Sequence, residues 1–373
     1  MGSRHAADHG DAEAQHDIGI MYHGGKGMPQ DSRLAVLWFT KAADQGHARA
    51  QFNLGLMFSN GNAVPVDRAQ ALYWFGKAAD QGHPGAQNHI GLIHANGQGV
   101  PQDHRQAKEW FEKAALQGDA AAQSNLGKIY SNGKGMPQNF LQALSWYRKA
   151  AEQGYVTAQF KLGWLYETGQ GISQEVTHAV SWYRKAADQG HIKAQFNLGE
   201  IYAHGKGVPR DLAQAARWYG KAAEQGHASA QFNLSVMVDE GLGVPQDGAG
   251  AQSWCNKAAE QGHVNAQFAM GLRHDRGQDV AQDYEKALSW YLKAAEQGHT
   301  RAQFNLGLMV GYGHGAAADP VKAYKWLTLA GAAGIAHAAT HQIVIELRMN
   351  PAQRERAHAF ARDYLEKRKG HAI

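Results

Sequence analysis

The sequence predicts an all-α array of stacked helix pairs, and three observations carry that prediction. A Trp recurs at Trp38, Trp74, Trp110, Trp146, Trp182, Trp218, Trp254, Trp290 and Trp326, each 36 residues after the last. The Gln of an Ala-Gln pair keeps the same step from Gln15 to Gln303, with no insertion or deletion between. Within each step the apolar residues fall three and four apart, which is helical spacing. A fixed period of this length marks a repeat array, in which each unit buries its apolar face only against its neighbours.

Each repeat divides into two helices, most clearly between Trp182 and Asp211. From His191 to about Ala203, residues Ala194, Leu198, Ile201 and Tyr202 share one face of a first helix, helix A. Gly205 and Gly207 end it, because glycine takes the left-handed conformation of a helix C-terminus without steric cost. Val208-Pro209 makes an extended turn, and Asp211 is placed to accept the free amide of Gln214 as the cap of a second helix. This helix B runs from about Leu212 to Glu224, with Ala215, Trp218, Tyr219, Ala222 and Ala223 as its buried stripe, and Gly226 closes it. Gly199 interrupts helix A, where glycine costs roughly 1 kcal/mol relative to alanine. The same position is Gly in the other repeats except at Ser235, so close packing, against the recurring Trp, is expected there.

In chain order, His5 to Gly10 aligns with Lys41 to Gly46, the last turn of a helix B. Residues 1–4 therefore read as a cloning remnant on a truncated first repeat, with a native leader or lipid anchor removed. The array proper is expected over residues 5–349. Its first units are regular, with Asp31, Asp67, Asp103 and Asn139 capping helix B. The middle is more individual: Tyr155 replaces the turn His, Ser173 the turn Pro, and Lys161 and Trp164 appear on helix A. Further on, Asp239 and Glu240, the stretch Gly248 to Gly250, and the charged run Arg273 to Arg276 depart from the pattern. After Gly334 the repeat fades into a final helix A from about Ala336 to Arg348. Residues 350–373 are expected to form a closing helix, started by Asn350-Pro351 and running to about Lys369, whose charges cap the open end, and a tail.

The pattern A-x-x-W-[YF]-x-K-A-A-[ED]-Q-G-[HDY]-x-x-A-Q-x-x-L-G, closed by G-x-G-V-P-x-D, resembles the Sel1-like repeats, relatives of the tetratricopeptide repeats. The resemblance covers about Ala6 to Gly334. It implies an α/α right-handed superhelix, a solenoid of 36-residue helix-turn-helix units, whose usual role is to hold other proteins together. Bacterial members include secretion-linked, host-binding and envelope proteins, and immunity proteins against secreted toxins. Fold analogy alone does not choose among these.

Composition narrows the reading. A chain of 373 residues normally makes two or more globular domains, but a solenoid has no upper size, so one array is the simpler count. The net charge of +4 comes from lysines that recur at one helix B position, from Lys41 to Lys293, which points to a solvated structural face rather than a nucleic-acid stripe. No apolar run reaches membrane-spanning length. The single cysteine, Cys255, excludes an internal disulfide and reads as a small buried hydrophobe standing where other repeats have an aromatic.

Among 21 histidines, His47, His83, His191, His227, His263 and His299 form one series. Copies of one position lie at least a helix spacing apart, roughly 8–10 Å, whereas a metal needs several nitrogens at about 2.0–2.1 Å. These are expected to be turn residues, with no metal and no cofactor. No Gly-Lys-Ser/Thr phosphate loop and no convergent acid, base or nucleophile is indicated, so the chain is not expected to be an enzyme.

With Ala194, Leu198 and Ile201 facing the core, positions 196, 200 and 203 share a different helix A face, the lining of a concave groove by analogy with tetratricopeptide arrays. The candidate partner-binding residues are Phe160, Trp164, Glu167, Phe196, Glu200, Phe232, Asp239 and Glu240. Aromatic residues beside charges make interface anchors, although the recurring Phe can also be read as packed between neighbouring helices. The expected function is a non-enzymatic scaffold, monomeric alone, that binds another protein with a basic and apolar surface. An inhibitor or immunity protein covering a secreted toxin, of type VI secretion for example, is the leading form. An envelope or secretion adaptor, or a host-factor-binding virulence protein, is the alternative, and a cell-wall hydrolase the third. A periplasmic or envelope location goes with the removed leader, a cytoplasmic one without it.

Overall fold

The structure, a computed structural model, describes residues 2–278 and 280–370; Met1 of the expected remnant and residues 371–373 of the expected tail lie outside the described residues. The described residues form twenty-one helices and no strand. The chain divides into two compact units, Met1–His191 and Ile192–Ile373. Unit 1 contains α1 (Gly2–Asp8), α2 (Ala12–Gly24), α3 (Ser32–Asp44), α4 (Ala48–Asn60), α5 (Arg68–Asp80), α6 (Pro84–Asn96), α7 (His104–Leu116), α8 (Ala120–Asn132), α9 (Phe140–Glu152), α10 (Val156–Thr168) and α11 (Val176–Asp188). Unit 2 contains α12 (Ile192–His204), α13 (Leu212–Glu224), α14 (Ala228–Glu240), α15 (Gly248–Glu260), α16 (Val264–Arg276), α17 (Tyr284–Glu296), α18 (Thr300–Tyr312), α19 (Pro320–Ala332), α20 (Ala338–Glu346) and α21 (Pro351–Gly370). Within each unit, even-numbered helices up to α18 are helices A, odd-numbered ones from α3 to α19 are helices B, and each packs on its chain neighbours.

Local chemistry sets the helix ends. Asp211 caps α13 by accepting the Gln214 amide at 2.9 Å, and Gly205 ends α12 in the left-handed region at φ 65°. At the other turn the recurring His caps helix A directly. Its Nδ1 accepts the amide three residues on, at 3.1 Å from Ala50 to His47 and 3.2 Å from Ala230 to His227. Asp119 does the same at 2.7 Å, whereas Tyr155 and Glu175 provide no side-chain cap.

The helix A glycine packs against the residue after the Trp, not against the Trp itself. A methyl group at Gly199 would sit 2.5 Å from the Tyr219 ring, and at Gly55, 2.6 Å from Phe75. One residue along a helix turns about 100°, so Tyr219 points into the A/B seam while Trp218 turns out of it toward helix B's edge. There the recurring Lys covers the Trp: Nζ lies 4.3 Å from the Trp218 ring centre at Lys221 and 3.9 Å at Lys113 over Trp110. The lysine series is thus a run of cation–π lids.

The buried Gln of each Ala-Gln pair ties one repeat to the next. In unit 1, Gln51 donates to the Ala43 carbonyl at 3.1 Å and accepts from Gln81 at 2.7 Å; in unit 2, Gln231 donates to Ala223 at 3.0 Å and accepts from Gln261 at 2.7 Å. At the end of unit 2 the last helix A is shorter than the sequence suggested, and α21 closes the array by burying Ala357 with Met349, Ile345, Leu327 and Ala323.

Candidate partner-binding face

The helix A faces that carry the candidate residues fall in both units. In unit 1, α10 presents Phe160, Trp164 and Glu167, all half-buried. The Phe160 ring centre lies 4.4 Å from that of His191 and 5.6 Å from that of Tyr183. Trp164 packs along the edge of the core formed by Tyr147, Leu162 and Leu165, and Lys161 reaches to 5.7 Å from its ring. Glu167 accepts the Tyr183 hydroxyl.

In unit 2, Phe196 and Phe232 stack on the capping His of the following helix A, 4.6 Å from His227 and 4.8 Å from His263. The recurring Phe is therefore a half-buried wedge against the next helix A. Glu200 accepts from the Tyr219 hydroxyl and, at 2.9 Å, from the Asn233 amide. Burial and that carboxylate raise the Tyr219 hydroxyl well above the usual tyrosine range, so it stays a donor. Asp239 pairs with Arg273 at 2.7 Å, and Glu240 is exposed.

The carboxylates follow a rule that sequence reasoning missed. Where the seam aromatic is Tyr, an acceptor stands on helix A to receive its hydroxyl: Ser131 for Tyr147 at 3.3 Å, Glu167 for Tyr183, Glu200 for Tyr219, and Asp275 for Tyr291 at 3.2 Å. Where it is Phe the position 16 residues earlier is not fixed, being His23 before Phe39, Ser59 before Phe75 and Ala95 before Phe111. Asp239 has the smaller Cys255 at the Tyr position, and the guanidinium of Arg273, buried in the space beside it, takes over as donor. For Ser131, Glu167 and Asp275 the signal lay in the sequence as a Tyr 16 residues downstream; Glu200 stands 19 residues before Tyr219, one helical turn earlier on helix A, with Ala203 at the 16-residue position. The acceptors Glu167, Glu200 and Asp239 are thus oriented by internal donors, and the side chains of Glu200 and Asp239 remain 27% and 34% exposed.

The Sel1 repeat family matches nine consecutive segments of 36 residues, from 12–47 through 300–335. The chain belongs to the Sel1 repeat family. Its Sel1 repeats begin at helix A, so α1 precedes the first and α20 and α21 follow the last. Solved structures with the same repeats include a protective antigen of uropathogenic Escherichia coli strains, 34% identical over 98% of this chain and 86% of that one, with a TM-score of 0.62. A Sel1 repeat protein from Oxalobacter formigenes is 35% identical over 83% and 90%, with a TM-score of 0.64. An immunity protein from Pseudomonas aeruginosa is 24% identical over 57% and 81%, with a TM-score of 0.38, a likeness too distant to bear on function. No curated protein matches the chain. Sel1 repeats are in general non-catalytic scaffolds for protein–protein interaction, and no helix among the described residues is long and apolar enough to cross a membrane.

Proposed function

We propose that the chain is a non-enzymatic scaffold that captures one partner protein on its helix A face, in the manner of an inhibitor or immunity protein covering a secreted toxin. The observation that carries this reading is the preorganisation of the carboxylates. Glu167 is held by Tyr183, Glu200 by Tyr219 and Asn233, and Asp239 by Arg273. Side chains fixed before binding lose little freedom when a partner docks, which favours tight one-to-one capture. The partner then offers Lys or Arg beside apolar side chains: in unit 1 Trp164 is the apolar anchor beside Glu167, and in unit 2 the exposed Glu240 adds its charge to Glu200 and Asp239.

A second reading, an envelope or host-facing adaptor, is favoured by the E. coli relative described as a protective antigen. Affinity capture from the source organism, followed by calorimetry with the purified partner, tests both. Trp164→Ala is expected to weaken binding about tenfold or more and, because its ring also packs on the core edge, to lower the melting temperature, whereas Glu240→Lys weakens binding with the melting temperature unchanged. Unaltered affinity would remove the partner from this face. A partner that stops growth when produced alone, and is silenced by co-production of the chain, selects the inhibitor reading; a harmless envelope or host protein selects the adaptor.

A further inference from the structure

The first repeat holds a group the others lack. His16 stands where later repeats have Phe52, Phe160, Phe196 or Phe232, and the packing that seats that ring against the next capping His here brings two imidazoles together, with centres 4.8 Å apart at His16 and His47. Glu13, one turn before His16 on α2, reaches the same spot and accepts from His47 Nε2 at 2.9 Å. One ligand atom from each of the three residues lies within 4.8 Å of the others. Copies of a single repeat position cannot converge on an ion; His16 and His47 can, because they occupy two different positions that the register stacks.

We propose that Glu13, His16 and His47 form a divalent transition-metal site, of the class that takes zinc. Two imidazoles and one carboxylate are a zinc donor set that leaves the fourth tetrahedral position to water. The 62% exposed side chain of Glu13 can swing to shorten the spread to bonding distance. The surroundings of His16 suit the role: Asp17 Oδ1 lies 3.3 Å from Nδ1, holding the proton there, and Nε2 is the acceptor, taking the Asn53 amide at 3.2 Å in a bond that an ion replaces. A carboxylate behind the far nitrogen is how protein ligands fix imidazole for a metal. His47 has to change. Its Nδ1 now accepts the Ala50 amide and its Nε2 carries the proton toward Glu13. Coordination through Nε2 moves that proton to Nδ1, with none released, and breaks the cap bond to Ala50. The ion clamps α2 to the start of α4.

The test is calorimetry of the metal-stripped full chain with zinc chloride at pH 7.5, read beside thermal melting and nitrogen NMR of the histidine rings. One saturable zinc per chain is expected, with a raised melting temperature and a His47 proton that moves from Nε2 to Nδ1. His16→Phe, which restores the residue of the other repeats and so keeps the fold, abolishes that site, and Glu13→Gln and Asp17→Asn each weaken it about tenfold or more. The His5→Ala, His9→Ala double variant removes the neighbouring pair on and after α1 and leaves the binding intact. Zinc binding that survives His16→Phe, that is lost in the His5/His9 variant, or that leaves the His47 tautomer unmoved overturns the assignment.

Discussion

The capping histidines put two demands on a single ring. Nδ1 must keep its lone pair to accept the amide three residues on, and the ring must pack against the Phe of the preceding repeat, as His263 does on Phe232. The acceptor role needs the neutral imidazole, and burial holds His83, His227, His263 and His299 below the usual histidine range. A folded value below the unfolded one means that the unfolded chain takes up protons first as pH falls. Stability from these groups is then full above about pH 6.5 and is lost as pH drops toward the folded value. The urea midpoint is therefore expected to be lower at pH 5.5 than at pH 7.5. Replacing these four histidines by Asp, the residue that caps α8 at position 119, should flatten that dependence. Ala63 is a second residue-scale case: at φ 63° it is the only non-glycine in the left-handed region among the described residues, where the equivalent position of unit 2's first repeat is Gly207. Ala63→Gly should raise stability by about 1 kcal/mol, measured by chemical denaturation.

At the scale of helix pairs, the seam is a matched set rather than a list of separate residues. Gly199 is small because Tyr219 is large; where Cys255 replaces the aromatic, Ser235 replaces the glycine, its hydroxyl reaches the thiol, and Arg273 fills the remaining space and pairs with Asp239. Burial lifts the Cys255 thiol to about 11, so it stays an unreactive filler. Cys255→Tyr alone should cost about 1–3 kcal/mol by overpacking, and adding Ser235→Gly should return part of that loss, a favourable coupling of roughly 1 kcal/mol in a double-mutant cycle. The helices themselves were legible, since the 36-residue period, the Asp caps and the glycine stops place α13 at Leu212–Glu224 as read. The partner of Gly199 was not, because Trp218 and Tyr219 recur together and only their rotation around the helix separates them. For the same reason the candidate face could be placed on helix A, but the internal donors of Glu167, Glu200 and Asp239 could not, since each comes from a different helix.

For the molecule as a whole, stability is distributed. Each repeat meets only the next, so a defect spreads no further than its neighbours. Leu126, fully buried in α8 beside Ala107, Phe111 and Ile129, provides the test. Leu126→Ala should cost about 2–5 kcal/mol locally, and hydrogen exchange should quicken in α7, α8 and α9 while α2 keeps its protection. The paired glutamines extend this modularity to inheritance. Gln51 receives from Gln81 what Gln15 receives from Gln45, so a gene that gains or loses a whole copy of the 36-residue unit joins one amide to another of the same kind. A crossover out of frame with that unit would strand an amide in the interior. Array length is therefore free to drift by recombination in whole units, and the surface offered to a binding partner can lengthen or shorten without a new core being invented.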